Sequence, residues 1–267
     1  MTGPLGRILD CSPLMTILFR CVFGVVFLLI ILKISSTPIN LISRKSRLLF
    51  LSSFLMAAHW VTYFFSLQYA NVAVAMLSLF TFPIWTALLE PLYYKTPFRK
   101  IHLLLTAMIL VGIYFIVPKE GTLEAGQLWT GILYGLASSI VYSIRNVIMK
   151  DLVAHENALL LMAHQVGIAA IILLPSLFFI DTTVSQNDWY IIIILGVMVT
   201  AIGHTLFLKS FRNFSVTKSS IISCLQPPLS ILLAYMFLKE SPTGYTIIGG
   251  VIILTTIIIE TLYNKSA

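Results

Sequence analysis

The chain has 267 residues, of which 58% are hydrophobic and 10% charged, with a formal net charge of +7; soluble domains carry roughly 45–50% apolar and about 25% charged residues. This composition excludes a soluble globular domain, and equally a disordered polar chain, which needs low hydrophobicity and high charge. A bilayer is the solvent it suits, with about 20 apolar residues per spanning helix.

Apolar runs bounded by charge or turn residues predict nine helices, at 14 to 32, 48 to 67, 72 to 94, 101 to 117, 129 to 149, 158 to 180, 189 to 208, 219 to 238 and 246 to 263. The expected fold class is all-α, a polytopic membrane bundle of nine helices whose loops are too short to hold a soluble domain. Basic excess in such a chain reflects Lys and Arg retained on the cytoplasmic side, so nucleic acid is not an expected partner. One set of alternate loops carries Lys33, Arg44, Lys45, Arg47, Lys95, Arg99, Lys100, Lys150, Lys209, Arg212 and Lys265, against Arg7, Lys119 and Lys239 on the other. The first set is therefore assigned to the cytoplasm, together with the C-terminus, and Trp129 and Trp189 fall at the outer ends of their helices.

Polar residues inside spans are the functional candidates, because an unpaired polar group in hydrocarbon costs several kcal/mol. In the first helix this selects Arg20, within snorkelling reach of the outer surface or available to a substrate carboxylate. In the second, His59 and Tyr63 share a face one turn apart, with Trp60 and Phe64 forming an adjacent aromatic ridge. The third holds Pro83 at mid-span and Glu90 near its inner end, placed for an ion pair beside Lys95 and Arg99 or for proton coupling. The fifth pairs Gly131 with Gly135, a spacing that lets helices approach closely, and continues with Ser138, Tyr142, Arg145 and Asn146. Tyr142 is the cavity candidate there, whereas Arg145 is expected to snorkel to the inner surface. His204 follows one turn after Thr200 in the seventh helix. The eighth holds Gln226 before Pro227 and Pro228, and these prolines, with Pro83, are the expected hinges, since proline removes a backbone hydrogen bond and bends the helix.

Two stretches resemble each other. Ala75 to Pro83, followed by Lys95-Thr96-Pro97, parallels Ser219 to Pro228, followed by Lys239-Glu240-Ser241-Pro242. Pro83 to Pro97 and Pro228 to Pro242 have equal spacing, and five helices separate equivalent points. An odd number makes the two copies cross in opposite directions, the inverted duplication on which many secondary transporters are built. The halves are expected at 1–128, with four helices, and 129–267, with five. The same offset puts the partner of the helix at 129 to 149 before Met1, so either the sequence as given starts after its first spanning helix or the bundle is a nine-span form.

Arg20, the run His59-Trp60-Val61-Thr62-Tyr63-Phe64-Phe65, the Pro83 helix ending Leu88-Leu89-Glu90-Pro91-Leu92, and the closing Pro228 with Lys239-Glu240-Ser241-Pro242 together resemble the drug/metabolite transporter superfamily, EamA type. The resemblance covers the chain from residue 14 onward. It implies a ten-helix inverted 5+5 repeat, here lacking its first helix, that moves small metabolites outward, often amino acids or related compounds, by alternating access around a central cavity. It also implies a bacterial inner membrane, a small-molecule metabolite and the lipid bilayer as partners, and leaves a homodimer open. Lys95 stands where the second copy has Glu240, a departure from the pattern.

No cofactor and no metal site is expected. Cys11, Cys21 and Cys224 are too few and too scattered for a disulfide framework or a metal knuckle. An enzyme is not expected either, because Glu90 and Glu260 are the only acids within the predicted spans, the in-span histidines lie on different helices and no HExxH motif occurs. Two readings therefore remain: a carrier with substrate residues His59, Trp60, Tyr63, Tyr142, His204, Arg20 and Gln226, or a non-transporting, truncated relative acting as an assembly partner.

Overall fold

The structure is a computed structural model that describes residues 5, 9–38, 46–70, 72–116, 125–180, 182–229, 232 and 243–263. It is helical, with no strand among the described residues. The elements are α1 Pro13–Ile34, α2 Ser46–Tyr69, α3 Val72–Leu79, α4 Phe82–Tyr94, α5 Ile101–Ile116, α6 Ala125–Val153, α7 Ala158–Leu173, α8 Gln186–Ile194, a π-helical segment Leu195–Gly203, α9 His204–Ser210, α10 Val216–Ser223 and α11 Gly244–Tyr263. Each of the nine predicted spans is occupied by helix, the eighth over its described part. Residues 239 to 242 and the rest of that span lie outside the described residues.

Among the described residues seven helices, three of them assembled from adjoining segments, are long and apolar enough to cross a membrane, and Ile101–Ile116 is a further apolar helix of 16 residues. Their outer faces carry large apolar side chains, among them Val26, Phe50, Leu104, Val111, Leu206 and Ile258, which are exposed because the solvent around them is lipid. The chain is a multi-pass membrane protein.

Apart from α7, which tightens into 3₁₀ helix at Leu174–Phe178, three of the predicted rods are not continuous α-helix. Between α3 and α4 the chain turns at Phe80 and Thr81, and after α10 it turns at Cys224 and Leu225 before a helical turn at 226–229. Pro83 and the Pro227-Pro228 pair open the segments after these breaks and do not bend unbroken helices. The first turn of a helix is where a missing N–H leaves no acceptor unpaired and a fixed φ is already helical. The third interruption is the π segment, between α8 and α9.

Packing follows a few long contacts. α2 runs along α6, α1 lies on α7, α5 crosses α11, and α1 also packs on α8 and the π segment while α2 packs on α7. Small residues set the closest crossings: a methyl at Gly131 would fall on Ala70, and one at Gly135 on Ser78 and within 3.0 Å of Ser66 Oγ. The predicted close approach through this glycine pair is thus present, and Ser66 Oγ donates to the Gly131 carbonyl at 2.7 Å across it. The main core fills the middle of the bundle, around Trp60, Tyr63, Ile109 and Val166. A second cluster, with Leu49, Met149, Val153 and Phe211, lies at the end that bears Lys150 and Arg212. That end is referred to below as the basic end, and the opposite one as the far end. At the far end Trp189 packs edge-on against Phe19, centroids 4.8 Å apart, while Trp129 is exposed.

Candidate functional site

At mid-bundle the side chains singled out in four helices meet. The His59 and Tyr142 rings stack with centroids 4.3 Å apart, Tyr63 lies 6.5 Å from His59, and His204 stands edge-on to both Trp60 at 5.7 Å and Tyr142 at 6.2 Å. The Arg20 guanidinium carbon sits 4.6 Å over the Trp60 ring. His59, Trp60, Tyr63 and Tyr142 are buried, His204 partly so. The spacing of His59 and Tyr63 on α2, and of Tyr142 on α6, points these rings at the same place because α2 and α6 run alongside one another.

His59 is held by α6. Ser138 Oγ donates to the His59 carbonyl at 2.9 Å, and the imidazole Nδ1 lies 2.8 Å from Ser138 Oγ and 3.2 Å from its carbonyl oxygen. With the single hydroxyl proton committed to the His59 carbonyl, Nδ1–H is the donor toward Ser138 and Nε2 keeps its lone pair for another partner. One ring nitrogen thus fixes the residue to its neighbour and the other remains an acceptor.

Neither arginine reaches the surface, the expected place of Arg145 and one of two alternatives for Arg20. Arg20 and Arg145 are both fully buried. Arg20 donates from Nε and Nη2 to Thr200 Oγ1 at 3.0 and 2.9 Å. Thr200 belongs to the π segment, and its hydroxyl donates to the Leu195 carbonyl at 2.9 Å. Gly196 brings that segment against α1, since a methyl there would be 2.8 Å from the Arg20 carbonyl. Arg145 does not snorkel. It donates to the Gln165 amide oxygen from Nε at 3.1 Å and also from Nη2, and from Nη1 to Asn146 Oδ1 at 2.8 Å, while Gln165 in turn donates to Ser52 Oγ at 3.1 Å. Helices α2, α6 and α7 are all recruited to solvate one cation, so a polar network replaces the path to the surface.

Glu90 lies at the basic end, and its partners are not Lys95 and Arg99. Its carboxylate accepts from the backbone N–H groups of Val216 and Thr217 at 2.8 Å each, from Thr217 Oγ1 at 2.7 Å and from Lys150 Nζ at 2.9 Å. It therefore caps the first turn of α10 from α4, where a negative charge suits the unpaired N–H groups and the helix dipole. Lys95 instead ends α4 in the left-handed region, with φ of 54°.

Gln226 is exposed beside the second helix break. Pro83 and Pro227 are buried. The Pro83 break is fastened to α6: Thr81 Oγ1 and Ser139 Oγ lie 2.7 Å apart, and Ser143 Oγ donates to the Phe82 carbonyl at 2.8 Å. A cavity of about 240 Å³ lies toward the far end, lined by Asp10, Thr16, Phe64 and Gln68 among others. Thr16 is one turn before Arg20 and Phe64 adjoins Tyr63 in sequence, but Arg20 and the clustered rings are not among the residues that line it. Among the described residues no group of His, Cys, Asp and Glu is arranged to hold a metal ion.

The sequence model of the EamA-like transporter family matches residues 1–117 and 129–262. The chain belongs to the EamA-like transporter family. This EamA-like protein is 26% identical over 205 residues to the uncharacterized transporter YxxF of Bacillus subtilis, covering 75% of this chain and 65% of that protein, just under two thirds of its length. It is 26% identical over 198 residues to an uncharacterized transporter of Archaeoglobus fulgidus, covering 74% and 70% of the two chains. It is 21% identical over 247 residues to the pseudopaline exporter CntI of Pseudomonas aeruginosa, covering 91% and 84%. A solved crystal structure shares its fold, with a TM-score of 0.82 at 17% identity over 97% of this chain and 91% of the other.

Several features of the EamA-like site were not found by reading residues along the chain. The π segment has no sequence mark beyond an apolar run. Ser52 reads as an ordinary small residue, and the capping of α10 by Glu90 joins positions more than 120 residues apart. Thr217 and Val216 lie ahead of the predicted start of that helix, residue 219, so the apolar pattern does not mark them as its first turn.

Proposed function

We propose that this EamA-like protein is a secondary carrier that exports small metabolites, amino acids or related compounds among them, by alternating access. The observation that carries this reading is the ring cluster, in which α1, α2, α6 and α9 each contribute a side chain at mid-bundle, between two interrupted helices. Discontinuous helices supply backbone polar groups and points of bending, and transporters place their substrate sites beside them. His59, Trp60, Tyr63, Tyr142 and His204 form the binding surface, Arg20 its charged edge. Gln226 and the prolines Pro83, Pro227 and Pro228 mark the flexing segments.

The two halves, 1–128 and 129–267, are inverted copies in this reading. The family model matches each half separately, and related packings recur: α1 with α7, α5 with α11, α2 on α7 as α1 on the π segment, α4 with α10. The membrane is a bacterial inner membrane, with the basic end and the C-terminus in the cytoplasm. Glu90 then acts as the inner clasp, holding α4, α6 and α10 together while the far-end cavity is open, a role for which its four donors leave no vacancy for a shuttled proton.

The test is flux in reconstituted vesicles. Replacing His59 or Tyr63 with Ala lowers flux by about tenfold, the scale of one lost contact of 1–2 kcal/mol, with insertion unchanged. Unchanged flux in both variants removes the ring cluster from the site. Vesicles holding the wild-type protein that move no metabolite favour the alternative of a non-transporting assembly partner.

A further inference from the structure

Arg20 and Arg145 are two fully buried guanidinium groups, and among the described residues neither has a carboxylate within ion-pair distance; the ion pairs present are His102–Glu260 and Lys150–Glu90. A buried cation without a counter-charge is strongly disfavoured, so such a group in a span marks a function. The partners that solvate them are neutral: Thr200 for Arg20, and Gln165 with Asn146 for Arg145. One donor in this set is also buried without an acceptor, Arg20 Nη1. At Arg20 hydrogen-bond capacity and charge are thus both unmet.

The two cations bracket the rings. Arg20 touches Trp60, Trp60 touches His204 and His204 touches Tyr142, one turn before Arg145 on α6. His59 and His204 lie within electrostatic reach of both guanidinium groups. In surroundings this dry the two positive fields add and are weakly screened. The acids inside the spans that a substrate ammonium group would need at the rings are engaged elsewhere, and Asp10 lines the far-end cavity, not the ring cluster. Glu90 is occupied by Lys150 and the start of α10, and Glu260 lies against His102 at 3.5 Å.

We propose that the solute is a small organic anion of net negative charge, with an acidic group held at the open Nη1 edge of Arg20 and a flat portion against the His59, Trp60 and Tyr142 rings. Arg145 sustains the positive potential on the other side of the rings. Planar oxyanions match the guanidinium fork, and His59 Nε2 accepts from a hydroxyl or amide of the same solute. Solutes of net positive charge are repelled, and among the amino acids of the carrier reading this narrows the solutes to those of net negative charge. This rests on the carrier reading given above.

The experiment compares cells that overproduce the wild-type protein with cells carrying an empty vector. Metabolites whose medium-to-cell ratio changes are sorted by anion and cation exchange at neutral pH. The expected result is a change of at least about tenfold confined to compounds retained by the anion exchanger, abolished in Arg20→Gln. Thr200→Asp, which supplies Arg20 with an internal counter-charge, is expected to abolish it equally while the protein remains in the membrane at wild-type amount, and it decides the matter where Arg20→Gln is lost from the membrane. Changed compounds found in the flow-through or on the cation exchanger overturn the anion assignment and leave the carrier standing. Wild-type export of anions by Thr200→Asp overturns the assignment of Arg20. No changed compound in any fraction removes the carrier reading and this proposal with it.

Discussion

Glu90 illustrates how one side chain takes on a task its sequence neighbours do not announce. Placed a turn from Lys95, it reads as half of a local ion pair, yet it accepts two backbone N–H groups and a hydroxyl from α10 and a cation from α6. Replacing it with Gln puts an NH₂ where donors converge, and the expected cost is about 2–3 kcal/mol. Lys150→Met removes only one of the four donors, from a side chain that is 29% exposed, and costs about 1 kcal/mol or less. Thermal unfolding in detergent checks this: Glu90→Gln lowers the midpoint by several degrees more than Lys150→Met, and equal shifts would show that the lysine, not the cap, is the main hold. His59 was the opposite case. Its depth in an apolar helix and its spacing from Tyr63 were visible in the sequence, and both survive, because a helix fixes which side chains share a face whatever the tertiary contacts.

At the scale of the helix, boundaries were legible to within a few residues, since apolar run length and flanking charge are set by the bilayer itself. The interior irregularities were not. The breaks at Phe80–Thr81 and Cys224–Leu225 lie just ahead of prolines that mark them, but proline alone does not distinguish a kink from a restart. The π segment carries no proline, and its stability comes from α1, through Arg20 on Thr200 and the backbone contact at Gly196. Helix crossings are equally dependent on partners. Gly112 on α5 and Gly249 on α11 face each other so closely that a methyl on Gly249 would fall on the Gly112 carbonyl, and one on Gly112 would be 2.9 Å from the Gly249 carbonyl. Gly249→Ala is therefore expected to part α5 from α11 and cost about 1–3 kcal/mol. Gly250→Ala, whose methyl meets nothing within 4 Å, is neutral or slightly stabilising through helix propensity. Comparison of the two midpoints checks the crossing.

For the molecule as a whole, the loop charges that orient it also predict which surface each end reaches. Ser35, at the close of α1, and Ser185, ahead of α8, are exposed at opposite ends of the bundle. With the three native cysteines replaced, Ser35→Cys is expected to react with a membrane-impermeant maleimide only after the cell is opened, and Ser185→Cys in intact cells. The reverse pattern would invert the orientation and make the far-end cavity face the cytoplasm. The Glu90 cap then has a consequence for how such a bundle moves. Four donors from two separate helices meet on two oxygen atoms, so α4 and α10 have no way of peeling apart bond by bond. Either the whole set is intact or the carboxylate must be rehydrated in one event, which makes opening at this end abrupt, with a single barrier and no stable half-open position.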